Sequence, residues 1–256
     1  MNVRELYACL NEIIPPSLSC AWDNDGLMCC PDPDREVKRV LIALDVTGDV
    51  ADEAVEGDFD LVISHHPLIF KPIKKLTADG GAGGILVNFI RAGVSVMSFH
   101  TRLDAVDGGV NDVLAETLGL ENIEPLEVEG EGNLGRVGIL PEKLEIEEFA
   151  STVKAELGAP DVRYAGSGHP VCRVAVISGD GGNLVAAAKA AGADTFVSGE
   201  LGYHNLLSAD EMGINLVEAG HFYTEDPVCD RISEILTAID PEIETVYMKS
   251  CAIKHA

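Results

Sequence analysis

Three short segments carry imidazole and carboxylate groups at spacings that suit metal binding. They are Ile63-Ser64-His65-His66-Pro67, His100-Thr101-Arg102-Leu103-Asp104 and Gly220-His221-Phe222-Tyr223-Thr224-Glu225. Neighbouring side chains of a strand point to opposite faces. His65 and His66 can therefore share a site only where a strand ends, and Pro67, with no N–H to donate, fits such an ending. By itself such a pair reads more readily as packed or surface histidines. In the second segment Asp104 is a hard oxygen donor and His100 is a ligand or the neighbour that orients one. The alternative is that Asp104 caps a helix starting near Gly108. In the third, Gly220 permits a tight strand-to-helix turn, and residues four apart on a helix share a face. His221 and Glu225 would then converge on one point, although a first-turn acid also suits the helix dipole.

Taken together the segments agree in donor type, with imidazole and carboxylate and no thiolate. His65, His66, Asp104, His221 and Glu225 are too many ligands for one four-coordinate zinc. They suit two divalent ions roughly 3.5–4 Å apart, bridged by a carboxylate and a water. The donor set fits Zn, Mn, Fe, Co or Ni better than Ca.

The elements that must position these groups alternate between strand and helix. Apolar runs read as strands at Val40–Leu44, Leu61–Ser64, Val94–Phe99, Leu134–Leu140, Arg173–Ile177, Thr195–Ser198 and Ile214–Glu218. Helices are expected over 3–14, Val46–Glu56, Ile85–Arg91, Val110–Leu118, 145–157, Asn183–Ala191 and Tyr223–Ala238. Gly80–Gly84 reads as a loop, and Glu127–Gly132 as a Glu- and Gly-rich stretch. The alternation predicts an α/β fold.

An internal repeat runs through that pattern. RVLIALD…DLVISHHP starts at Arg39 and RVAVISG…DTFVSGEL at Arg173, and in each an Asp follows 21 positions later (Asp60, Asp194). Downstream, His100-x-x-x-Asp104 echoes His221-x-x-x-Glu225. Chance likeness between two α/β units is the alternative. The shared spacing favours duplication: two pseudo-repeated α/β lobes, about 1–125 and 126–256, packed around a dinuclear metal site within one domain. It also makes His100 the counterpart of His221 and a candidate sixth ligand.

The bulk numbers limit the function classes. With 256 residues, 46% hydrophobic, the chain can bury a sizeable core. A net charge of −25 makes a nucleic-acid partner unexpected. Seven cysteines without a C-x-x-C pair read as reduced, mostly buried thiols of a cytoplasmic protein. The N-terminal segment reads as an amphipathic helix, not a signal peptide. No apolar run approaches the ~18 residues of a membrane span.

ISHHPLIF, HTRLDA and GHFYTE, in this order, resemble the signatures of the NIF-three-like family, and WDNDGL at residues 22–27 resembles its early Trp-Asp-Asn motif. Members of that family are called GTP cyclohydrolase I type 2 homologues or dinuclear-metal hexameric proteins. The resemblance implies that His65, His66, Asp104, His221 and Glu225 bind two metal ions per subunit, with Glu225 bridging. It further implies a toroidal homohexamer, a trimer of dimers. Longer members carry an inserted domain, for which the spacing from Asp104 to Arg173 leaves no room. Arg102 stands where the family usually has Asn, and Glu200 where it tends to have Asp. Arg102 either binds an anionic group near the metals or points outward as a surface charge.

Two functions follow. The first is a metal-dependent hydrolase acting on a small molecule through a metal-activated water. Arg102 would stabilise developing negative charge, and His100 and His204 would move protons. The GTP cyclohydrolase reading rests on the resemblance, because no purine pocket is legible. The second is a non-catalytic metal-binding scaffold or regulatory interaction protein.

Overall fold

The computed structural model describes residues 1–130 and 132–254. It is a mixed α/β protein with a five-stranded and a six-stranded sheet. Glu131, within the expected Glu- and Gly-rich stretch, lies outside the described residues. The chain divides into two compact units. The first comprises Met1–Leu103 together with Cys229–Lys254, and the second Asp104–Val228. The boundary thus falls near residue 103 rather than 125, and the C-terminal segment returns to the first unit.

In the first unit α1 (Val3–Ile13) opens on a capping box. The Asn2 side chain accepts from Glu5 N at 2.9 Å, and Asn2 N donates to the Glu5 carboxylate at 2.9 Å. Val3, Leu6 and Leu10 bury one face of this helix. The sheet order is β1 (Gly26–Cys29), β4 (Ser95–Ser98), β3 (Leu61–Ser64), β2 (Arg39–Ala43) and β11 (Glu244–Tyr247). Only β1 is antiparallel to its neighbour. All four residues of β3 are buried, as expected of a parallel strand covered on both faces. Leu41, Val62 and Val96 pack against Val50 and Ala54 of α2 (Gly48–Glu56) and Phe89 of α3 (Gly81–Ala92). The glycines read as a loop are partly helix: α3 begins at Gly81 and stops at Gly93, whose φ of +76° ends it.

In the second unit the order is β5 (Glu121–Val128), β6 (Gly132–Leu144), β8 (Val171–Asp180), β9 (Thr195–Glu200), β10 (Asn215–Glu218) and β7 (Arg163–Ala165). Strands β8, β9 and β10 are parallel, with antiparallel neighbours on both sides. Helices α5 (Val110–Thr117) and α6 (Ile146–Glu156) supply Leu114, Phe149 and Val153 to a core with Val174, Val176, Val197 and Val217. Short helices α7 (Val185–Ala190), α8 (Tyr203–Leu207) and α9 (Ala209–Met212) complete the connections. The helix expected over Tyr223–Ala238 is instead two, α10 (His221–Glu225) and α11 (Val228–Ile239). Pro227 sits at the break, where its missing N–H is tolerated only at a helix start.

The repeat in the sequence is a repeat in topology. Each unit contains a run of three parallel strands joined in chain order, β2-β3-β4 and β8-β9-β10, with an antiparallel strand beside the third. Asp60 accepts from Lys38 N and Arg39 N at 2.8 and 3.0 Å. Asp194 accepts from Cys172 N and Arg173 N at 3.0 and 2.8 Å. The backbone carbonyl of Asp60 takes Ser95 N at 3.0 Å, and that of Asp194 takes Asn215 N at 2.8 Å. One aspartate thus ties the starts of three parallel strands together in each half.

Candidate metal centre

In the first unit the chain turns as β3 ends. Ser64 Oγ donates to the His66 carbonyl at 2.8 Å, and His66 N donates to the Leu44 carbonyl at 2.9 Å. This turn, followed by Pro67, lets both imidazoles face one place. The fully buried His65 donates Nδ1–H to the Phe99 carbonyl at 2.9 Å. His66 donates Nδ1–H to Asp45 Oδ1 at 2.8 Å. His100, just beyond β4, donates Nδ1–H to Asp23 Oδ1 at 2.9 Å. One ring nitrogen from each of these three histidines lies within 4.8 Å of the other two.

The buttresses are themselves held. Asp23 also accepts from Thr101 N at 3.1 Å and Thr101 Oγ1 at 2.7 Å. Burial works to raise the Asp23 pKa, but the hydrogen bonds from His100 and Thr101 and the nearby imidazole outweigh it. They hold the carboxyl well below the usual carboxylate range, so Asp23 is an anion at neutral pH. Asp45 is tied to the C-terminal segment, its N–H donating to Ser250 Oγ at 3.0 Å.

In the second unit Gly220, at φ +88°, turns the chain from β10 into α10. His221 Nε2 and Glu225 Oε2 are 3.1 Å apart, one helical turn from each other. His221 Nδ1 donates to Glu200 Oε1 at 3.1 Å. Glu225 is 4% exposed, an unusual burial for a carboxylate. Facing it is Gly179, at φ +62°; a Cβ there would collide with Glu225 Oε1 and stand 3.2 Å from His221 Nε2. Asp104, on α4 (Thr101–Ala105), is partly buried, and its backbone carbonyl accepts from Asn111 Nδ2 at 3.3 Å.

Four histidines therefore share one arrangement. Each has its Nδ1 proton directed at an oxygen: Phe99 O, Asp45, Asp23 or Glu200. In the neutral ring this places the lone pair on Nε2, the tautomer that ligates metal, and fixes the ring's direction. The donor set, the oriented tautomers and the glycine cradle beside Glu225 fit a divalent ion.

Two further expected participants are Arg102 and His204. Arg102 is neither a surface charge nor poised for an anion. It is 1% exposed, its Nε donates to Asp25 at 3.1 Å, and its Nη1 donates to Asn11 Oδ1 at 2.7 Å and Ile14 O at 3.1 Å. Its guanidinium also lies 4.6 Å over the Phe99 ring. A buried arginine needs such partners, and here they bind the N-terminal segment to the strand end that carries His100. His204 is exposed on α8, edge-on to Tyr203. Sequence reasoning missed the orienting oxygens. Asp23 lies in the WDNDGL motif and Asp45 just beyond β2, so their placement at strand ends was the available signal.

An α/β chain with imidazole and carboxylate clusters at its strand ends defines a class of candidate metalloproteins. Within it, this chain belongs to the Duf34/NIF3 (NGG1p interacting factor 3) family, whose model matches residues 1–253. It is 33% identical over 254 residues to a GTP cyclohydrolase 1 type 2 homolog of Clostridium perfringens, covering 97% of each chain. A homolog of the same name from a Nostoc species is 32% identical over 227 residues, 86% of this chain and 84% of that one. Among solved structures, a hypothetical protein of Staphylococcus aureus matches with a TM-score of 0.89 at 28% identity, covering 100% of this chain and 99% of that one. The reduced form of HcgD from Methanocaldococcus jannaschii matches with a TM-score of 0.82 at 31% identity, covering 96% and 97%. Among the described residues no helix is long and apolar enough to cross a membrane.

Proposed function

We propose that this chain is a metal-dependent hydrolase holding two divalent ions through His65, His66, Asp104, His221 and Glu225, with His100 as a further ligand. The observation that carries the reading is the set of four imidazoles whose Nδ1 protons are committed to oxygens. Such carboxylate- and carbonyl-backed histidines accompany metal sites and raise ligand basicity. Bound ions of this kind supply Lewis acidity and acidify water. The chain's own residues hold the rings in place: Asp23, Asp45 and Glu200 accept the Nδ1 protons, and Gly179 leaves room beside Glu225. In this reading Arg102 takes no part in the chemistry, since its guanidinium donates to Asp25, Asn11 and Ile14. By the family resemblance the reading extends to a cytoplasmic homohexamer, which light scattering on the purified protein would measure.

Protein purified without chelator should contain near two transition-metal ions per chain by elemental analysis. His65→Ala should reduce that number and abolish turnover in a hydrolase screen of phosphoesters, amides and GTP. Metal content unaffected by Glu225→Ala and His221→Ala would overturn the site. Full loading without turnover would favour the scaffold reading, in which the ions serve binding rather than catalysis.

A further inference from the structure

Beside His100, in the first unit, two large aromatic side chains stand in solvent. Trp22 is 56% exposed and Phe70 48%. Their ring centroids are 6.2 Å apart, and each is 6.1 Å from the His100 ring. All three pairs are edge-to-face, with interplanar angles of 81°, 76° and 89°. The rings thus form a corner at the imidazole cluster rather than a packed stack. Asn24 Nδ2 donates to the Ile69 carbonyl, which fastens the segment carrying Trp22 to the one carrying Phe70. Exposing so much aromatic surface is unfavourable unless something covers it.

The chain following Phe70 is basic. Lys71, Lys74 and Lys75 are exposed and, among the described residues, in no ion pair. They are three of only 18 basic residues in a chain of net charge −25. Positive charge on the segment that follows an aromatic corner, on a molecule otherwise strongly acidic, suits a ligand with a flat ring and an anionic arm.

We infer that Trp22 and Phe70 form the binding subsite for the planar ring of a small phosphorylated ring compound, of the mononucleotide class, with its anionic arm toward Lys71, Lys74 and Lys75. The inference rests on the metal-centre reading only in placing the ring beside the reacting group. Stacking on Trp22 orients the ring, and the edge of Phe70 limits where it slides. Both are specificity-determining residues, not catalytic ones.

Trp22 is the chain's single tryptophan, so its fluorescence reports on the subsite directly. The metal-loaded protein should show saturable quenching with AMP or GMP. Ribose 5-phosphate, which lacks the ring, and adenosine, which lacks the charge, should bind on the order of tenfold more weakly or worse. Phe70→Ala, read by fluorescence, and Trp22→Ala, read by calorimetry, should each weaken AMP binding by a similar factor with metal content unchanged. Lys74→Glu combined with Lys75→Glu should weaken AMP but not adenosine. Absent quenching, equal binding of ribose 5-phosphate, or unchanged affinity in Trp22→Ala would overturn the inference. Tighter binding of a single-stranded oligonucleotide than of any mononucleotide would overturn the small-molecule class. Metal content near zero with ring binding intact would overturn the metal reading and leave the subsite standing.

Discussion

His66 and Asp45 are joined by a 2.8 Å hydrogen bond from imidazole to carboxylate, and Asp45 is in turn fixed by Ser250. A carboxylate so placed sets the tautomer of the ring and raises the basicity of Nε2. Asp45→Ala should lower metal affinity by roughly 10- to 100-fold while leaving the fold intact, because Asp45 is half exposed. Competition against a fluorescent chelator would measure this. An unchanged affinity would show that His66 needs no orienting partner.

Gly179 makes the complementary prediction in the second unit. Its φ of +62° disfavours any side chain, and a Cβ there would press on Glu225 and His221. Gly179→Ala should cost about 1–2 kcal/mol from the left-handed backbone alone. It should also reduce metal content by displacing Glu225. Chemical denaturation together with elemental analysis separates the two effects, since Gly213→Ala, also at positive φ but beside only the Lys189 ammonium, should show the first without the second.

Arg102 tests structure against chemistry. Removing one partner of a buried ion pair leaves the other uncompensated, at a cost of roughly 3–5 kcal/mol. Arg102→Ala should therefore lower the unfolding midpoint strongly, while the protein that remains folded keeps its full metal content. Wild-type stability with lost activity would restore the anion-stabilising role expected from sequence.

The Asp60 clamp predicts a pH dependence. Burial works to raise the Asp60 pKa, but hydrogen bonds from Lys38 N, Arg39 N and the Arg35 side chain, with the Arg35 charge, leave it lowered. Below an unfolded value of about 3.9 the unfolded chain binds this proton more readily than the folded one. The stabilisation is then present above that pH and lost as pH falls toward the folded value. Asp60→Asn should be less stable at pH 7 by about 1–2 kcal/mol, and the gap should shrink below pH ~4. Urea titrations at several pH values would reveal it, and a gap constant with pH would refute the clamp.

Much of this architecture was legible in the sequence because local pattern and burial agree there. Leu61–Ser64 is a continuous apolar run, and it is a fully buried parallel strand. The 21-residue spacing from Arg39 to Asp60 and from Arg173 to Asp194 is a real equivalence, since each aspartate binds the same backbone positions. What was missed depends on distant partners. Strand β5 carries Glu121, Glu124 and Glu127 on exposed positions, so the side chains that do pack, Leu126 and Val128, are few. Strand β11 has no strong pattern of its own and is fixed by pairing with β2 across some 200 residues of chain. Arg102 read as either an anion binder or a surface charge because its partners Asn11 and Asp25 lie far off in sequence. The orienting oxygens were likewise invisible, because hydrogen bonds across strand ends leave no periodicity.

The return of β11 to the edge of β2 also sets an order of assembly during synthesis. Residues 39–66 leave the ribosome long before Thr245 and Val246, which pair with Val40 and Leu41, and before Ser250, which holds Asp45. Until then the β2 edge is an open template for other strands, and His66 leans on an unanchored carboxylate. A nascent chain stalled short of residue 244 would expose that edge to chaperones and proteases and would lack a finished first half-site. On the metal reading, the His66 side of the site would gain its full support only once Ser250 has been made.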